Sequence, residues 1–526
     1  MGLSHTSRRT YAVTLFLILL VCYSYFMPRW GDWGANSRAD LVYAVGDQGV
    51  LHIDDYHENT GDKACFAGRD YTGDSPCEDG HYYTDKSLGP SLVALPFYMV
   101  FKAVAAVPPI QRFIEGGNLP GNFDDTLNPD GQGVRPDAVY QGMALTFITF
   151  FAMTVPSALL ATCVFLFAAR FASKDLYAFI LALAYGLGTI ALPYSMALLQ
   201  HQLAAFGTFV GFYLLWRIIY ENASRNWLLV VGVLFSLVLI TEYPIFLMLA
   251  IIVVWAFIKL RWALWRMILA GIPLGLLFAA YNFAVFETPM PVGYNYSINW
   301  QEEHETGFMS LTQPTLERYY GLTFSPVRGM FLLSPFLLLV FPGLYWMWRQ
   351  RKDQRDVLLV IALCVFALFT FNASSIMWWG GHTVGPRYLV PMLPFMVMPV
   401  IFAFNRLLPL LWGRLLTIIL VAASIFAVGA LTIAGQSWPP IDFFPFTVEQ
   451  MNSTFPLADY ALPLLMEGNV ARNYGGILLD LPGIASLIPL LIALIVIGLG
   501  VPWLLERRSK PRTDARPLEQ AAEHGR

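Results

Sequence analysis

The segment GHYYTDKSLGPSLVALPFY, residues 80–98, decides the fold of this 526-residue chain, because polar sequence passes here directly into apolar sequence. A matching boundary lies upstream, where the apolar segment TYAVTLFLILLVCYSYFMP, residues 10–28, comes to its end. An apolar stretch of roughly 17–25 residues is long enough to cross a bilayer as a helix. The chain is therefore predicted to leave a membrane after residue 28 and to enter it again after residue 88.

The segment between these boundaries, residues 29–88, carries 12 of the 36 acidic residues of the chain against five basic ones. A charged side chain is costly in hydrocarbon, so a membrane protein keeps its acids in water. Such a concentration of carboxylates in one loop beside a membrane indicates chemistry or cation binding at that surface.

The composition agrees with a membrane protein of many spans. Charged residues are 13% of the chain, against roughly 25% in soluble domains, and hydrophobic residues are 56%. A soluble core of this size cannot absorb so much apolar surface, so the bilayer serves as the solvent. The net charge of −3 is too small to indicate a nucleic acid partner. We expect an all-α polytopic membrane protein.

Apolar stretches of roughly 17 residues or more predict about 13 transmembrane helices. They lie near residues 10–28, 89–108, 140–169, 177–196, 199–218, 227–242, 243–259, 267–286, 329–348, 356–373, 389–405, 415–435 and 482–505. The chain accordingly divides into a transmembrane module (1–435), an external loop (436–480), a last transmembrane helix (481–505) and a polar, disordered tail (506–526).

Lysine and arginine concentrate on the cytoplasmic side of a membrane protein, and this rule orients the chain. Arg8 and Arg9 precede the first span, which predicts a cytoplasmic N-terminus in the plasma (inner) membrane and an extracytoplasmic loop 29–88. The basic tail after the last span also favours the cytoplasm and so requires an even number of crossings. Because the predicted count is odd, we expect one stretch not to cross fully, either 89–108 or part of 227–259.

The external loop contains a predicted helix and a cysteine pair. Residues 36–46 place three apolar side chains on one helical face, which predicts a short helix on the membrane surface. Cys65 and Cys77 lie in this loop, whereas the other three cysteines fall within predicted spans. In an oxidising compartment the pair is expected to form a disulfide, and metal binding by two thiols is the weaker alternative.

The loop also holds candidates for catalysis. Its candidates for a general base are the carboxylates of Asp40, Asp54, Asp55 and Asp62. Lys63 and Lys86 lie beside acids and are candidate ligands for a phosphate, since an ammonium group is a compact point charge. His81 and Tyr83, in the segment that ends the loop, are further candidate binding residues. The alternative is a solvated acidic loop without chemistry.

A second polar segment, NASSIMWWGGHTVGPRYLVPMLP at residues 372–394, leads into a predicted span. Arg387 stands at the mouth of that span, where its guanidinium group can bind a lipid phosphate or anchor the helix at the interface. Trp379 and His382 of this segment are further candidate binding residues. Arg328, near the start of another predicted span, is a further candidate ligand for an anionic head group.

Glu242 falls between two apolar stretches, directly before Tyr243 and Pro244. An ionisable residue inside a membrane predicts a functional site by default, and the alternative is a structural role at a helix break. The chain has no P-loop, no G-x-S-x-G, no H-E-x-x-H and no His and Cys cluster with metal-ligand spacing. An ATP-driven pump is therefore not favoured.

The order of these segments resembles the membrane glycosyltransferases of the GT-C superfamily. More narrowly it resembles those that use a polyprenyl-phosphate sugar, such as protein O-mannosyltransferases and lipid A aminoarabinose transferases. Residues 83–88, YTDKSL, resemble the Tyr-Phe-x-Lys-Pro-Pro that ends the catalytic loop of that group, and residues 379–381 (WGG) with 385–388 (GPRY) are similar to a motif of bacterial members. The group carries Asp-Glu at the start of the loop helix, where this chain has Asn36-Ser37, so the base is assigned to the later loop aspartates or to Asp40.

The resemblance implies a GT-C-like bundle that transfers a sugar from an undecaprenyl or dolichyl phosphate to an acceptor on the extracytoplasmic face, with inversion, as a mannosyltransferase does. A loop aspartate would deprotonate the acceptor hydroxyl, while Lys and Arg side chains stabilise the departing phosphate. The side chains that would contact the acceptor or the sugar are His81, Tyr83, Trp379, His382 and Glu242. The implied partners are the lipid-linked donor, membrane lipids, and a glycan, lipid or protein acceptor. Mg²⁺ or Mn²⁺ held by the acids is compatible with this scheme but is not required, and no metal ligands are assigned.

Two alternatives of other classes stay open. A secondary transporter would carry its functional charges at the bilayer midplane and have short external loops, whereas the acids of this chain crowd an outer loop. A catalytically inactive GT-C-like assembly protein would share the fold but lack a base, which the Asn36-Ser37 departure allows.

Overall fold

The structure, a computed structural model, describes residues 5–29, 32–68, 77, 79–116, 138–300, 303, 306–307, 310–381, 383–435 and 447–509. The first twelve α-helices are α1 (His5–Ser24), α2 (Trp33–Tyr43), α3 (Leu88–Ala105), α4 (Pro108–Glu115), α5 (Ala138–Thr149), α6 (Val155–Ala168), α7 (Asp175–Gly188), α8 (Ala191–Tyr194), α9 (Gln200–Tyr220), α10 (Trp227–Thr241), α11 (Phe246–Leu260) and α12 (Trp265–Phe286). The remaining ones are α13 (Leu316–Thr323), α14 (Met330–Leu333), α15 (Val340–Gln350), α16 (Arg355–Ser374), α17 (Leu393–Val397), α18 (Val400–Leu407), α19 (Leu411–Ile433), α20 (Val448–Ser453), α21 (Leu462–Met466), α22 (Tyr474–Leu479) and α23 (Ile488–Ser509).

Shorter turns and one hairpin complete the described secondary structure. The strands are β1 (Lys63–Phe66) and β2 (His81–Thr84). The 3-10 turns are His57–Asn59, Tyr243–Ile245, Arg261–Leu264, Gly293–Tyr296, Pro335–Leu339, Lys352–Gln354, Arg387–Met392 and Gly483–Leu487, and the π-helical turns are Ala44–Gln48, Phe150–Thr154 and Leu457–Ala461. The described chain is therefore almost entirely helical, as expected for an all-α membrane protein.

Seven helical runs within the described ranges are long and apolar enough to cross a membrane. They are Leu88–Ala105, Val139–Ala168, Gln200–Tyr220, Tyr243–Phe286, Lys352–Ser374, Leu411–Ile433 and Gly483–Leu505. The count becomes eight if the pair Arg387–Val397 and Val400–Leu407, bent by 50°, forms one span. The chain is a multi-pass membrane protein, and the prediction of about 13 helices is not confirmed.

Several predicted spans are shorter or broken in the structure. Helix α10 has 15 residues and ends at Thr241, and the 3-10 turn Tyr243–Ile245 that follows contains Pro244, which lacks a backbone donor. The predicted span 329–348 is divided in the same way at Pro335. The predicted spans 243–259 and 267–286 correspond to α11 and α12, which the 3-10 turn Arg261–Leu264 connects within a helical run of 44 residues. Prolines and turns within apolar sequence therefore set where each helix ends.

Helix α10 packs closely against both α9 and α12, because glycines line the contacts. A Cβ atom added at Gly207 of α9 would lie 2.5 Å from the Val238 side chain, and one added at Gly232 would lie 2.2 Å from the Met267 carbonyl oxygen. Small residues allow such close approach between membrane helices. Since α9 and α10 are consecutive, the start of α9 and the end of α10 lie side by side at one end of the bundle.

The predicted helix of the first loop is present as α2, and a π-helical turn continues it to Gln48. Asp32 caps this helix, because its side chain accepts a hydrogen bond of 3.1 Å from the Ala35 N–H. Residues 34–43 are all buried, and α2 packs against α3 and β2. Protein covers this helix on nearly all sides, in contrast to the position on the membrane surface expected from its apolar face.

Strands β1 and β2 form an antiparallel hairpin in which Lys63 lies opposite Thr84. Cys65 of β1 is joined to Cys77 by a disulfide, which ties the hairpin to the chain that enters β2. Antiparallel pairing places the start of one strand beside the end of the other. The residues before β1 and after β2 therefore meet at the same end of the hairpin, next to the start of α3.

A third segment joins the hairpin from a distant part of the sequence. Beyond α12, the 3-10 turn Gly293–Tyr296 leads to Ile298, whose N–H donates a hydrogen bond of 3.0 Å to the Lys63 carbonyl oxygen. The residues around Ile298 thus extend the open edge of β1. Three segments converge at one end of the hairpin, and the candidate site lies at this point.

Candidate active site

A compact ion cluster occupies the point where the three segments meet. Lys86 Nζ lies 3.2 Å from Asp62 Oδ2 and 3.1 Å from Asp85 Oδ1. The side chains are almost buried, with exposed fractions of 13% for Lys86, 12% for Asp62 and 0% for Asp85. Asp62 precedes β1, and Asp85 and Lys86 follow β2, so the hairpin itself brings them together. We call these three residues the Lys86 cluster.

The third segment completes the surroundings of the cluster. Trp300 donates its indole N–H to Asp62 Oδ1 over 2.9 Å, and the Ser297 hydroxyl donates to Asp85 Oδ2 over 2.9 Å. The ring centroid of Tyr294 lies 5.5 Å from Lys86 Nζ. Both carboxylates are therefore oriented by hydrogen bonds besides the ion pairs, which fixes the geometry of the cluster.

The three charges shift the pKa values of one another. Burial by itself would raise the pKa of Asp62, but the Lys86 ammonium and the Trp300 hydrogen bond outweigh burial and hold that pKa below its usual value. Burial raises the pKa of Asp85 above its usual value, because the nearby charge of Asp62 adds to burial against the attraction of Lys86. Burial would lower the pKa of Lys86, but the two aspartates hold it above its usual value. At neutral pH Asp62 is thus an ionised acceptor and Lys86 is a cation.

Arg38 of α2 brings a second cation close to the cluster. Its guanidinium group is buried and donates to the Gly34 carbonyl oxygen and to the Gln200 side chain at the start of α9. Burial lowers the pKa of Arg38, and the charge of Arg387 lowers it further, whereas Asp62 acts in the opposite direction. Arg38 therefore lies within electrostatic reach of both the Lys86 cluster and Arg387.

Three cations, Lys86, Arg38 and Arg387, interact with the acids of this part of the protein, which are Asp62 and Asp85 of the cluster and Asp32. Arg387 also lies 5.3 Å from the ring of Tyr388. The Nε atoms of Arg38 and Arg387 are buried without a hydrogen-bond partner within the described residues. Each such N–H costs roughly 1–3 kcal/mol when it is left unpaired. The arrangement therefore favours an anion that accepts from these groups.

Arg328 holds the loop that carries Arg387. Its terminal nitrogens donate to the carbonyl oxygens of Gly381, Thr383 and Gly385, the last over 2.9 Å. Gly381 and Gly385 have φ angles of 81° and 63°, a left-handed conformation that glycine adopts readily. These contacts indicate a positioning role for Arg328. Direct binding of a phosphate by Arg328 stays a prediction.

A second polar pair adjoins the cluster at the ends of α9 and α10. His201 Nδ1 lies 2.9 Å from Glu242 Oε1. The Ser87 hydroxyl, next to Lys86, donates to the Thr241 carbonyl oxygen over 2.5 Å, which brings this pair beside the cluster. Within the described chain, His201 Nε2 and Glu242 Oε2 are buried without hydrogen-bond partners. An unsatisfied polar atom on each member of the pair indicates a place for a polar ligand.

The four aspartates predicted as candidate bases lie in different surroundings. Asp62 belongs to the Lys86 cluster. Asp40 is buried on α2, and burial raises its pKa well above its usual value. Asp54 lies 2.6 Å from the Nδ1 atom of His81, and Asp55 is exposed. Among the described residues, Asp62 is the only one of the four that contacts Lys86, although the choice of base stays a prediction.

The other predicted site residues lie apart from the cluster or outside the described residues. Lys63 Nζ lies 2.9 Å from both the ring nitrogen and the carbonyl oxygen of His57, so it is held within the loop. Tyr83 and Trp379 are half-buried, and Trp379 packs against the hydrophobic core. His382 lies outside the described residues. The binding roles expected for Lys63, Tyr83, Trp379 and His382 stay predictions.

Some residues of the site were not predicted from the sequence. Asp85 is next to Lys86 in the quoted motif, so a search for paired carboxylates around that lysine could have found it. Ser297 is 212 positions from Asp85, and Trp300 is 238 positions from Asp62. No local pattern signals those contacts, because the edge of a hairpin brings the residues together.

Comparisons with known proteins add a distant similarity in shape. No family model and no curated protein matches the chain. Among solved structures, the crystal structure of ArnT from Cupriavidus metallidurans bound to undecaprenyl phosphate matches with a TM-score of 0.45 and 17% identity, over 95% of this chain and 76% of that one. A similarity at this level does not assign a function, which must be argued from the residues of the site.

Proposed function

We propose that the protein is a GT-C-like glycosyltransferase that moves a sugar from a polyprenyl-phosphate donor to an acceptor hydroxyl on the extracytoplasmic face. The observation that carries the proposal is the Lys86 cluster flanked by Arg38 and Arg387. A carboxylate, an ammonium group and two guanidinium groups lie together at the end of an apolar bundle. This combination suits the deprotonation of a hydroxyl beside a lipid-linked phosphate.

The donor phosphate would bind to the cations of the site. Lys86 and Arg387 are its proposed direct ligands, because charge-assisted hydrogen bonds to phosphate are among the strongest in proteins. Arg38 adds positive charge from α2 and has a buried N–H without a partner in the described chain. The polyprenyl tail would lie in the surrounding lipid, as expected for a site at the end of membrane helices.

Asp62 is the proposed general base. Its pairing with Lys86 keeps it ionised but also weakens it as a base, because the bound cation stabilises the carboxylate. A donor phosphate that engages Lys86 would share that cation and restore the basicity of Asp62. The base would therefore become strong only when the donor is in place, and Asp85 would keep Lys86 in position throughout.

The proposed reaction is a single displacement. Asp62 takes the proton of the acceptor hydroxyl, whose oxygen attacks the anomeric carbon of the sugar. The bond from that carbon to the phosphate oxygen breaks, with inversion at the carbon, and the electron pair leaves with the phosphate. Lys86, Arg387 and Arg38 stabilise the charge that develops on the leaving group. No step of this scheme needs Mg²⁺ or Mn²⁺, and the role of a divalent cation stays a prediction.

The pair formed by His201 and Glu242 is the proposed contact for hydroxyl groups of the sugar. A site built to hydrogen-bond a hydroxyl rejects analogues that lack it, because its own polar atoms would stay unpaired. Glu242 was expected to contact the acceptor or sugar, and its place beside the Lys86 cluster supports that role. The identity of the sugar, mannose or another, would depend on this pair.

The positions of the basic residues define the proposed orientation in the membrane. Arg8 at the start of α1 lies 2.9 Å from Asp175, and Arg170 lies 2.9 Å from Glu221. These basic residues lie at the end of α1 opposite the acidic loop. The positive-inside rule then places them in the cytoplasm and the Lys86 cluster outside. We propose the plasma (inner) membrane as the location.

The direct test is release of polyprenyl phosphate from lipid-linked sugars. The purified chain in lipid nanodiscs is incubated with undecaprenyl-phosphate sugars and a mixture of envelope glycans and lipids, and the released lipid phosphate is measured by mass spectrometry. The wild-type protein is expected to release it, and Asp62→Asn is expected to release far less. Donor binding without release by the wild type would instead favour an inactive assembly protein. Movement of a solute across sealed vesicles without release would favour a transporter.

A further inference from the structure

Two histidines and one aspartate converge on the outer loop, away from the Lys86 cluster. His81 Nδ1 lies 2.6 Å from Asp54 Oδ2, and His52 Nδ1 lies 3.1 Å from the same oxygen. The two imidazole rings are stacked, with centroids 4.4 Å apart and planes inclined by 17°. One ligand atom from each of the three residues lies within 4.8 Å of the others.

We propose that His52, Asp54 and His81 form a binding site for a divalent transition-metal ion, Zn²⁺ in the first instance. Imidazole nitrogens and a carboxylate oxygen are a donor set that suits zinc and disfavours magnesium, which prefers oxygen ligands alone. The ligand atoms of a tetrahedral zinc site lie roughly 3.3 Å apart for bonds of about 2.0–2.1 Å. The observed separations from Asp54 are close to that value, so small side-chain movements would admit the ion.

An unsatisfied nitrogen supports the proposal independently. His52 Nδ1 is shielded from solvent and has no hydrogen-bond partner within the described residues, although a carboxylate oxygen lies near it. A buried nitrogen that lacks a partner is unfavourable, and native structures rarely contain one without a reason. A metal ion bound between His52, Asp54 and His81 would give this nitrogen a partner. Each of the three side chains would then bind the ion, whereas without it both imidazoles lie against one carboxylate oxygen.

The backbone prepares the site before any ion binds. The Tyr82 N–H donates to Asp54 Oδ1 over 2.7 Å, which orients the carboxylate and leaves Oδ2 directed at the histidines. The Ile53 N–H donates to the Tyr82 carbonyl oxygen over 2.7 Å. Hydrogen bonds that orient a ligand in this way are typical of metal sites. The three side chains are partly exposed, with fractions of 30%, 31% and 55% for His52, Asp54 and His81, so an ion can reach them.

The site differs from the proposed active site in place and in chemistry. His81 lies opposite Phe66 at one end of the hairpin, and Thr84, next to the Lys86 cluster, lies opposite Lys63 at the other. His81 and Thr84 are three positions apart along the strand, a distance of about 10 Å. An ion here would bind the segment before the 3-10 turn His57–Asn59 to strand β2, and so stiffen the loop that carries Asp62.

The test measures zinc binding by the full chain in detergent micelles, by competition with a fluorescent zinc chelator at pH 7.5. The wild type is expected to bind one equivalent, which excess Mg²⁺ does not displace. His52→Ala, Asp54→Asn and His81→Ala are expected to weaken binding at least tenfold. His57→Ala is the matched control, because His57 belongs to the same loop but contacts Lys63 instead, and it should keep the wild-type affinity. Binding should also weaken below about pH 6, since histidine must lose its proton to bind a metal.

Two results would overturn the proposal. Absence of stoichiometric binding by the wild type would do so, and so would equal affinity in the wild type and in the variant that carries all three substitutions. X-ray absorption at the zinc edge of the wild type avoids any folding defect of the variants. A shell with two imidazole nitrogens and oxygen at about 2.0–2.2 Å is expected, and a shell of oxygen or sulfur alone would exclude this site.

Discussion

Lys86 Nζ and Asp62 Oδ2 lie 3.2 Å apart, although one residue follows the second strand of the hairpin and the other precedes the first. The pairing of β1 with β2 imposes this contact. Lys86 also binds Asp85, so a single ammonium group serves two carboxylates in a nearly buried place. Breaking such a pair by removing one partner leaves a buried charge uncompensated.

The affinity for the donor phosphate is expected to depend on Lys86 and Arg387. Each substitution, Lys86→Ala or Arg387→Ala, removes a charged hydrogen bond of roughly 1.5–3 kcal/mol. The affinity for undecaprenyl phosphate, measured by native mass spectrometry or calorimetry, should fall by roughly 10-fold to 150-fold. Lys102→Ala is the control, because Lys102 of α3 pairs with Asp47 and not with the Lys86 cluster. This variant should bind the donor like the wild type. Unchanged affinity in both site variants would show that these residues do not bind the donor.

Catalysis is expected to depend on Asp62 rather than on the other loop aspartates. Asp62→Asn keeps the volume of the side chain and removes the base, so kcat should fall by roughly 10²-fold to 10⁴-fold. Asp55→Asn is the control, since Asp55 is exposed and accepts a hydrogen bond from Gln48 instead of contacting the Lys86 cluster. Asp40→Asn and Asp54→Asn are measured alongside. Wild-type rates in all four variants would exclude these four aspartates as the base and make Asp85 of the cluster and Glu242 the next candidates.

The pH dependence follows from the depressed pKa of Asp62. A carboxyl group whose pKa is lowered stays ionised until the pH falls below its usual range near 4. Titration of Asp62 should therefore cause no loss of kcat/KM between pH 7 and pH 5. In Lys86→Ala the burial of Asp62 remains without its cation, so its pKa should rise and the acid limb of the profile should move to higher pH. An unmoved limb in this variant would argue against Asp62 as the titrating base.

The close approach of α3 to α10 is expected to position Lys86. A Cβ atom at Gly89 would lie 2.0 Å from Thr241 Oγ1 and 2.8 Å from Thr241 Cα, so Gly89→Ala should push the start of α3 away. Overpacking of this kind costs roughly 1–3 kcal/mol, and the melting temperature and donor affinity should fall together. Gly275→Ala is the control, because its Cβ would meet no atom within 4 Å. A Gly89→Ala protein with unchanged donor affinity would contradict the inferred coupling.

The disulfide between Cys65 and Cys77 is expected to stabilise the hairpin. Non-reducing peptide mass spectrometry of protein from an oxidising compartment should recover the two cysteines as one linked pair. Cys65→Ser with Cys77→Ser should lower the free energy of unfolding of the loop by roughly 2–4 kcal/mol. Limited proteolysis of the loop should then become faster, whereas Cys163→Ser, a substitution within α6, should leave it unchanged. Two free thiols in the wild type would refute the pairing.

The sequence by itself determined the class of this protein and singled out the loop in which its chemistry is proposed. Apolar length and the scarcity of charge are local properties, so they identified a helical membrane protein and the acidic loop 29–88 without knowledge of the fold. The motif at Tyr83–Leu88 and the arginine at the start of a predicted span pointed to Lys86 and Arg387 for the same reason. Pairing of Cys65 with Cys77 also followed from composition and compartment.

The tertiary structure alone decided which of these residues meet. Hydropathy does not record a proline break or a turn between two helices, so it does not fix where each membrane helix begins and ends. Asp54 and Asp62 belong to the same acidic loop and look alike in sequence, yet the hairpin sends one to His52 and His81 and the other to Lys86. Trp300 and Ser297 reach the site only because their segment extends the edge of β1. Contacts between distant segments depend on strand pairing and helix packing, which no local pattern of residues encodes.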